Sequence, residues 1–294
     1  MLVVIICVLA AVGIVGGGYV IGRDIGSAPT STESSAVAPQ PSASPPLTAT
    51  LTPAPADSGA FATEFAALAA ELNAQVGIVV RPVGAGPEPV TAGEWSTGTA
   101  WSTIKVPLAI ARLRETDPPE VTEAMRAAIT QSDNDAAESI WASLGDPATA
   151  AAKVEAVLSE AGAPTTVESQ KVRPEFTAFG QTIWSLTDQA TFLSSAACNN
   201  GDQPIMDLMG QIAPDQLWGL GQIPGAKFKG GWGPSPEGNY LVRQFGVIPV
   251  NDGLAVVAVA LEPNSGAFDD GTQALTRIAT WLQERTDLLP VGNC

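Results

Sequence analysis

The sequence predicts an α/β (α+β) sandwich: an antiparallel five-stranded sheet flanked by helices, with an inserted all-helical subdomain. Three observations lead there. One helix-period segment and two strand-like runs open the globular region, a long middle stretch carries apolar residues at helical spacing, and three strand-like runs followed by an amphipathic helix close the chain. The order helix, two strands, helices, three strands, helix is that of a sheet covered by helices, with a helical insertion.

Phe61 to Leu68 begins an amphipathic helix that runs to about Asn73. Gln75 to Pro82 reads as a strand through Val76, Ile78, Val79 and Val80, and Pro89 to Glu94 as its hairpin partner. Helical patterns follow at 103–114, 120–131, 135–144 and 147–161, the last stopped by Gly162. Residues 163–185 read as a long irregular loop, followed by helices at 187–197 and 203–213. The closing strands are Ala226–Lys229, Tyr240–Pro249 and Leu254–Leu261. The final helix, 270–287, places Leu275, Ile278, Ala279 and Leu282 on one face. No internal repeat is visible.

Ahead of this domain, 59–294, lie two segments of different character. Residues 1–24 are apolar from Leu2 to Gly22, with no charge before Arg23. About 20 apolar residues suffice to span a bilayer, so the segment reads as a signal anchor, or else as a signal peptide. Residues 25–58 are rich in Ser, Thr, Ala and Pro, including Pro29, Pro39, Pro41, Pro45, Pro46, Pro53 and Pro55. Such a stretch buries too little apolar surface to order itself and reads as an extended spacer. A single-pass membrane protein with an extracytoplasmic domain is expected, or a secreted one if the first segment is cleaved. Net charge of -16 argues against a nucleic-acid partner and against anionic lipid headgroups. Cys7 lies in the apolar segment, leaving Cys198 and Cys294 as a disulfide in an exported protein, or as two separate thiols.

The chain contains no histidine. A Ser-His-Asp triad, an HExxH metal site and a Cys-His pair are therefore excluded, and no metal or other cofactor is expected. A nucleophilic serine would need another base, and Ser102-Thr103-Ile104-Lys105 supplies one: residues i and i+3 share a helix face. Such a match arises by chance in many chains of this length. Two further motifs follow in order, Ser132-Asp133-Asn134 at a junction between helical patterns and Lys229-Gly230-Gly231 at the end of a short strand. Taken singly, the first is most often a helix cap and the second a hairpin turn.

Together and in this order, the three motifs resemble the signatures S-x-x-K, S-D-N and K-T-G of the penicillin-binding protein and class A β-lactamase superfamily. Trp101 to Leu108 is similar to the nucleophile segment of class A β-lactamases, and Ala127 to Ala137 to their S-D-N segment. The resemblance covers roughly residues 60–290. It implies a serine hydrolase that forms an acyl-enzyme on a small-molecule β-lactam or a cell-wall peptide. Ser102 would be the nucleophile, Lys105 its base, and Ser132 the proton carrier to the leaving nitrogen. Asn134, Lys229, Gly231 and Trp232 would bind substrate. The amides of Ser102 and Trp232 would form the oxyanion hole.

Three departures stand out. Only thirty positions separate Ser102 from Ser132, about half the family's spacing, which implies a reduced helical subdomain. Gly230 stands where the family has a threonine hydroxyl. Arg173, in Arg173-Pro174-Glu175-Phe176, or Val172 aligns with the acid that activates the deacylating water, while Glu168 and Glu175 are nearby acids that do not match cleanly. Slow deacylation is therefore expected. The alternatives are a true β-lactamase with a displaced glutamate, and a non-catalytic binding domain.

Overall fold

The computed structural model of the chain describes residues 57–294. The readings of the apolar segment and of nearly all the spacer fall outside them. Among the described residues no helix is long and apolar enough to cross a membrane.

The chain opens with α1 (Ser58–Glu71), capped by Asp57, whose carboxylate accepts from the amides of Gly59 and Ala60. Then come β1 (Ala74–Pro82), β2 (Val90–Gly93) and β3 (Thr97–Thr99). A 3₁₀ turn at Trp101–Ile104 leads into α2 (Lys105–Leu113), followed by α3 (Glu123–Thr130), α4 (Asn134–Ser143) and α5 (Pro147–Glu160). The remainder is β4 (Ile183–Ser185), α6 (Leu186–Cys198), α7 (Gln203–Leu208), β5 (Lys227–Pro234), β6 (Tyr240–Val250), β7 (Gly253–Pro263) and α8 (Phe268–Glu284).

The main sheet has the order β2-β1-β7-β6-β5, antiparallel at every pairing. The opening and closing strands therefore meet at its centre, as β1 beside β7. β7 is buried over most of its length, because α6 and α8 both pack against it. Its residues Leu254 to Leu261 are apolar at both parities, as a strand covered on two faces must be. On the α8 side, Phe61 and Phe65 of α1 meet Trp281 edge-on at 5.4 and 5.6 Å. α2 buries every residue but Arg112, so it is the hub of the helical layer against α3, α4 and α5. Cys198 and Cys294 are bonded, tying the C-terminus to the end of α6.

Several element predictions need correction. The segment 163–185 is not all irregular: β4 lies in it and pairs with β3 in a second, two-stranded sheet. Three-residue strands are too short to show a period, which is why both went unread. The helix expected at 203–213 stops at Leu208. The strand at 226–229 runs on to Pro234, so Lys229-Gly230-Gly231 lies inside a strand and not at a turn. Glycines are poor strand formers, and here register against Gln244 and Arg243 of β6 overrides that weakness.

Candidate active site

Ser102 does not begin a regular α-helix as expected. It sits in the 3₁₀ turn ahead of α2, with Lys105 as the first residue of α2 itself. Trp101, the residue before it, has φ of 49°, and Ser132 has φ of 58°. Side chains with a Cβ rarely adopt this left-handed backbone.

The expected hydrogen bond between Ser102 Oγ and Lys105 Nζ is absent. Lys105 Nζ instead donates to the main-chain oxygen of Ser132 at 2.5 Å and to Asn134 Oδ1 at 2.7 Å. Burial lowers its pKa to about 7, with Asp133 acting in the opposite direction. A neutral amine carries two hydrogens and one lone pair. Both hydrogens are engaged by those oxygens, so the lone pair is left to accept a proton.

Asp133 positions this group through the backbone. Its side chain accepts from the amide of Ala136 at 2.8 Å and caps α4, which puts Asn134 at the first turn facing Lys105. Sequence reading took Ser-Asp-Asn as either a cap or a site motif, and the structure shows the cap, with Asn134 also bonded to Lys105. Lys229 is fully buried on β5 and donates to Ser132 Oγ at 2.9 Å and to the Gly230 oxygen at 2.9 Å. Its pKa is lowered by burial first and by the charge of Lys105 second. Lys105, Ser132, Asn134 and Lys229 are thus joined in one hydrogen-bonded chain. Ser102 and Asn134 open into a common cleft of ≈ 530 Å³ that Trp232 also lines.

Gly231 closes the other side. A Cβ built on it would stand 2.9 Å from the Ser102 nitrogen and 3.0 Å from both the Ala100 oxygen and the Thr103 nitrogen. Only glycine lets β5, the edge strand, approach the Ser102 turn this closely. Beside it, a Cβ on Gly230 would meet the Trp218 indole at 3.1 Å. A side chain at Gly230 would therefore press on an aromatic cluster. Trp218, Trp232 and Phe268 pack mutually at 5.3 to 6.0 Å, and Tyr240 lies 5.9 Å from Phe268.

The acids of the loop separate cleanly in space. Glu175 lines the Ser102 cleft but pairs with Arg173 at 3.1 Å, whereas Glu168 lines a different cavity. The guanidinium of Arg173 also bonds the Pro234 oxygen of β5 and lies 4.4 Å over the Phe176 ring. Phe176 meets Trp101 edge-on at 5.0 Å. No acidic side chain replaces Arg173 at its own position.

Sequence reading missed one supporting network altogether. Arg243 is fully buried with no carboxylate partner. It donates to the main-chain oxygens of Gly98, Thr99 and Trp184 and to Gln189 Oε1. Gln189 donates in turn to Thr103 Oγ1, and Thr103 to the Ala100 oxygen, so the network ends directly beneath Ser102. Desolvation lowers the pKa of Arg243 to about 9. Nothing in the local sequence marks this arginine, since its role is to satisfy backbone carbonyls of β3 and β4. Among the described residues, no cluster of His, Cys, Asp or Glu is arranged to hold a metal ion.

No family model and no curated protein sequence matches the chain. Solved structures do. TLA-3 extended-spectrum β-lactamase superposes with a TM-score of 0.62 at 14% identity, covering 77% of this chain and 100% of that one. The fold is that of the class A β-lactamases. A β-lactamase from Streptosporangium roseum gives a TM-score of 0.61 at 14% identity, covering 78% and 100% of the two chains. An ancestral class A β-lactamase gives 0.60 at 18%, covering 76% and 98%. The shared fold accounts for the five-stranded antiparallel sheet and its flanking helices.

Proposed function

We propose that the protein is an exported serine acyl-enzyme that cleaves an amide, peptide or β-lactam and deacylates slowly. The observation that carries this reading is Lys105: a buried lysine with its pKa near 7, both hydrogens engaged, one helical turn from a serine that opens into a cleft. A base poised near neutral pH is what proton transfer requires. Ser102 Oγ forms a bond to the substrate carbonyl carbon while its proton passes to Lys105 Nζ. The proton then reaches the leaving nitrogen through Ser132 as the C–N bond breaks, leaving the acyl group on Ser102. Lys229 holds the Ser132 hydroxyl in line, and Asn134 orients Lys105 and a substrate amide. The amides of Ser102 and Trp232 take the developing oxyanion. The spacer and apolar segment tether this domain outside the membrane, where it meets wall peptides.

The second chemical step lacks a placed base. Arg173 cannot accept a proton from water, and Glu175 is held by Arg173. General-base assistance is typically worth about 10²–10⁴-fold, so its loss prolongs the acyl-enzyme by that order. A displaced-glutamate β-lactamase is the second reading, because Glu175 does line the Ser102 cleft. Mass spectrometry after mixing with a penicillin separates the two. A covalent adduct on Ser102 that outlasts washing, and is lost in Ser102→Ala, supports slow deacylation. An adduct that forms and clears, and is trapped by Glu175→Gln, supports the second reading. No adduct at any time leaves a binding domain without acyl transfer.

A further inference from the structure

Behind Trp101 lies a second cavity of ≈ 390 Å³, walled mainly by apolar side chains. Val172 and Ile183 form part of its lining, and they are 69% and 61% exposed. They are the two most exposed large hydrophobic residues among those described; Leu217, the next at 38%, lies outside the cavity. Exposed apolar residues are normally scattered singly, so their convergence on one cavity needs a reason.

The cavity shares Trp101, Gly233 and Pro234 with the Ser102 cleft. What divides the two is the Arg173 guanidinium on the Pro234 oxygen, backed by Phe176 against Trp101. The charges present select the occupant. Glu168 and Glu262 line the cavity, and its one cation, Arg173, is already engaged by Glu175. An anionic occupant would face two carboxylates with no free cation to offset them. An uncharged apolar chain meets neither penalty and covers Trp95, Leu241 and Ile183.

We propose that this cavity is the acyl-side subsite of the Ser102 cleft and takes the uncharged alkanoyl chain of an ester or amide substrate. This rests on the acyl-enzyme reading above. The chain enters by displacing Arg173 from the Pro234 oxygen, at the cost of one hydrogen bond on a half-buried side chain. With an ester, the Ser102 Oγ–carbonyl bond forms as the serine proton passes to Lys105 Nζ, and the bond to the leaving oxygen breaks; Lys105 then returns the proton to an alkoxide, or releases it to solvent when p-nitrophenolate leaves as the anion. The alkanoyl group remains on Ser102 with its chain in the cavity.

The test uses the full-length protein and p-nitrophenyl acetate, butyrate and octanoate, with the burst of p-nitrophenolate as readout. Acylation efficiency rises by about fourfold per buried methylene until the cavity is filled. The octanoate-to-acetate ratio collapses by at least about tenfold in Ile183→Asp, where a charge is placed at the cavity wall. Leu217→Asp, outside both cavities, keeps the wild-type ratio. Octanamide titration of Ser102→Ala, followed by tryptophan fluorescence, reads the same cavity without chemistry, since Trp95 and Trp101 line it. Saturable binding that is lost when Ile183→Asp is added supports the subsite even if no ester reacts, in which case the nucleophile reading falls alone. A burst that is equal for all three esters, with no fluorescence response to octanamide, overturns the subsite and leaves Ser102 as nucleophile. Silence in both assays overturns both.

Discussion

Asp133→Asn isolates the charge that tunes Lys105. Asparagine caps a helix about as well as aspartate, so the bond to the Ala136 amide and the start of α4 survive. What disappears is a negative charge that favours the protonated lysine, and so the pKa of Lys105 falls further below about 7. The base must be neutral to act. In the wild type, acylation is therefore full above pH 7 and drops about tenfold for each unit below it, so a rate at pH 6 is near one tenth of the plateau. In Asp133→Asn the inflection moves to lower pH, and the pH 6 rate rises toward the plateau. Lys105→Arg gives the opposite limit: arginine stays charged, and the rate falls by about 10²–10⁴-fold at every pH. The assay is the pre-steady-state burst with p-nitrophenyl acetate from pH 5 to 9, with thermal melts at each pH to confirm folding. A profile flat through pH 7, or one whose inflection in Asp133→Asn moves upward, would refute the assignment of Lys105 as the base.

Gly231→Ala places a methyl 2.9 Å from the Ser102 nitrogen, where only backbone surrounds it, so β5 must retreat from the nucleophile turn. Acylation falls by about 10²–10³-fold, the usual cost of one oxyanion donor, with a stability loss of about 1–3 kcal/mol by calorimetry. Gly230→Thr is opposed by the Trp218 indole at 3.1 Å. Adding Trp218→Ala removes that obstacle, and the double variant acylates with a penicillin faster than Gly230→Thr alone. Cys198→Ser, which opens a loop spanning 96 residues, lowers stability by about 2–4 kcal/mol in denaturant titration, and dithiothreitol has the same effect on the wild type only.

The longer helices and the five strands of the main sheet were legible in the chain, because amphipathic helices and apolar strands leave a periodic trace, whereas the three-residue β3 and β4 were not. Leu254 to Leu261 read as one of the closing strands, and the structure shows why it is apolar at both parities: helices cover it on two faces. The absence of histidine restricted the chemistry before any coordinates, and the ordered motifs named Ser102, Lys105, Ser132, Asn134 and Lys229. The expected disulfide was read from the two cysteines outside the apolar segment, and the structure holds it. How those side chains meet is set by the packing of elements remote in sequence. That Lys105 turns to Ser132 and Asn134 instead of Ser102 depends on where α4 starts relative to α2, a distance no local pattern encodes. The pairing of β3 with β4 joins residues 97–99 to 183–185, and the buried Arg243 that holds both strands satisfies carbonyls remote in sequence. Gly230 read as a lost hydroxyl; its neighbour Trp218, twelve positions earlier, lies close enough to crowd any side chain there. Burial, charge and close approach are properties of neighbours in space, and they decide what the named residues can do.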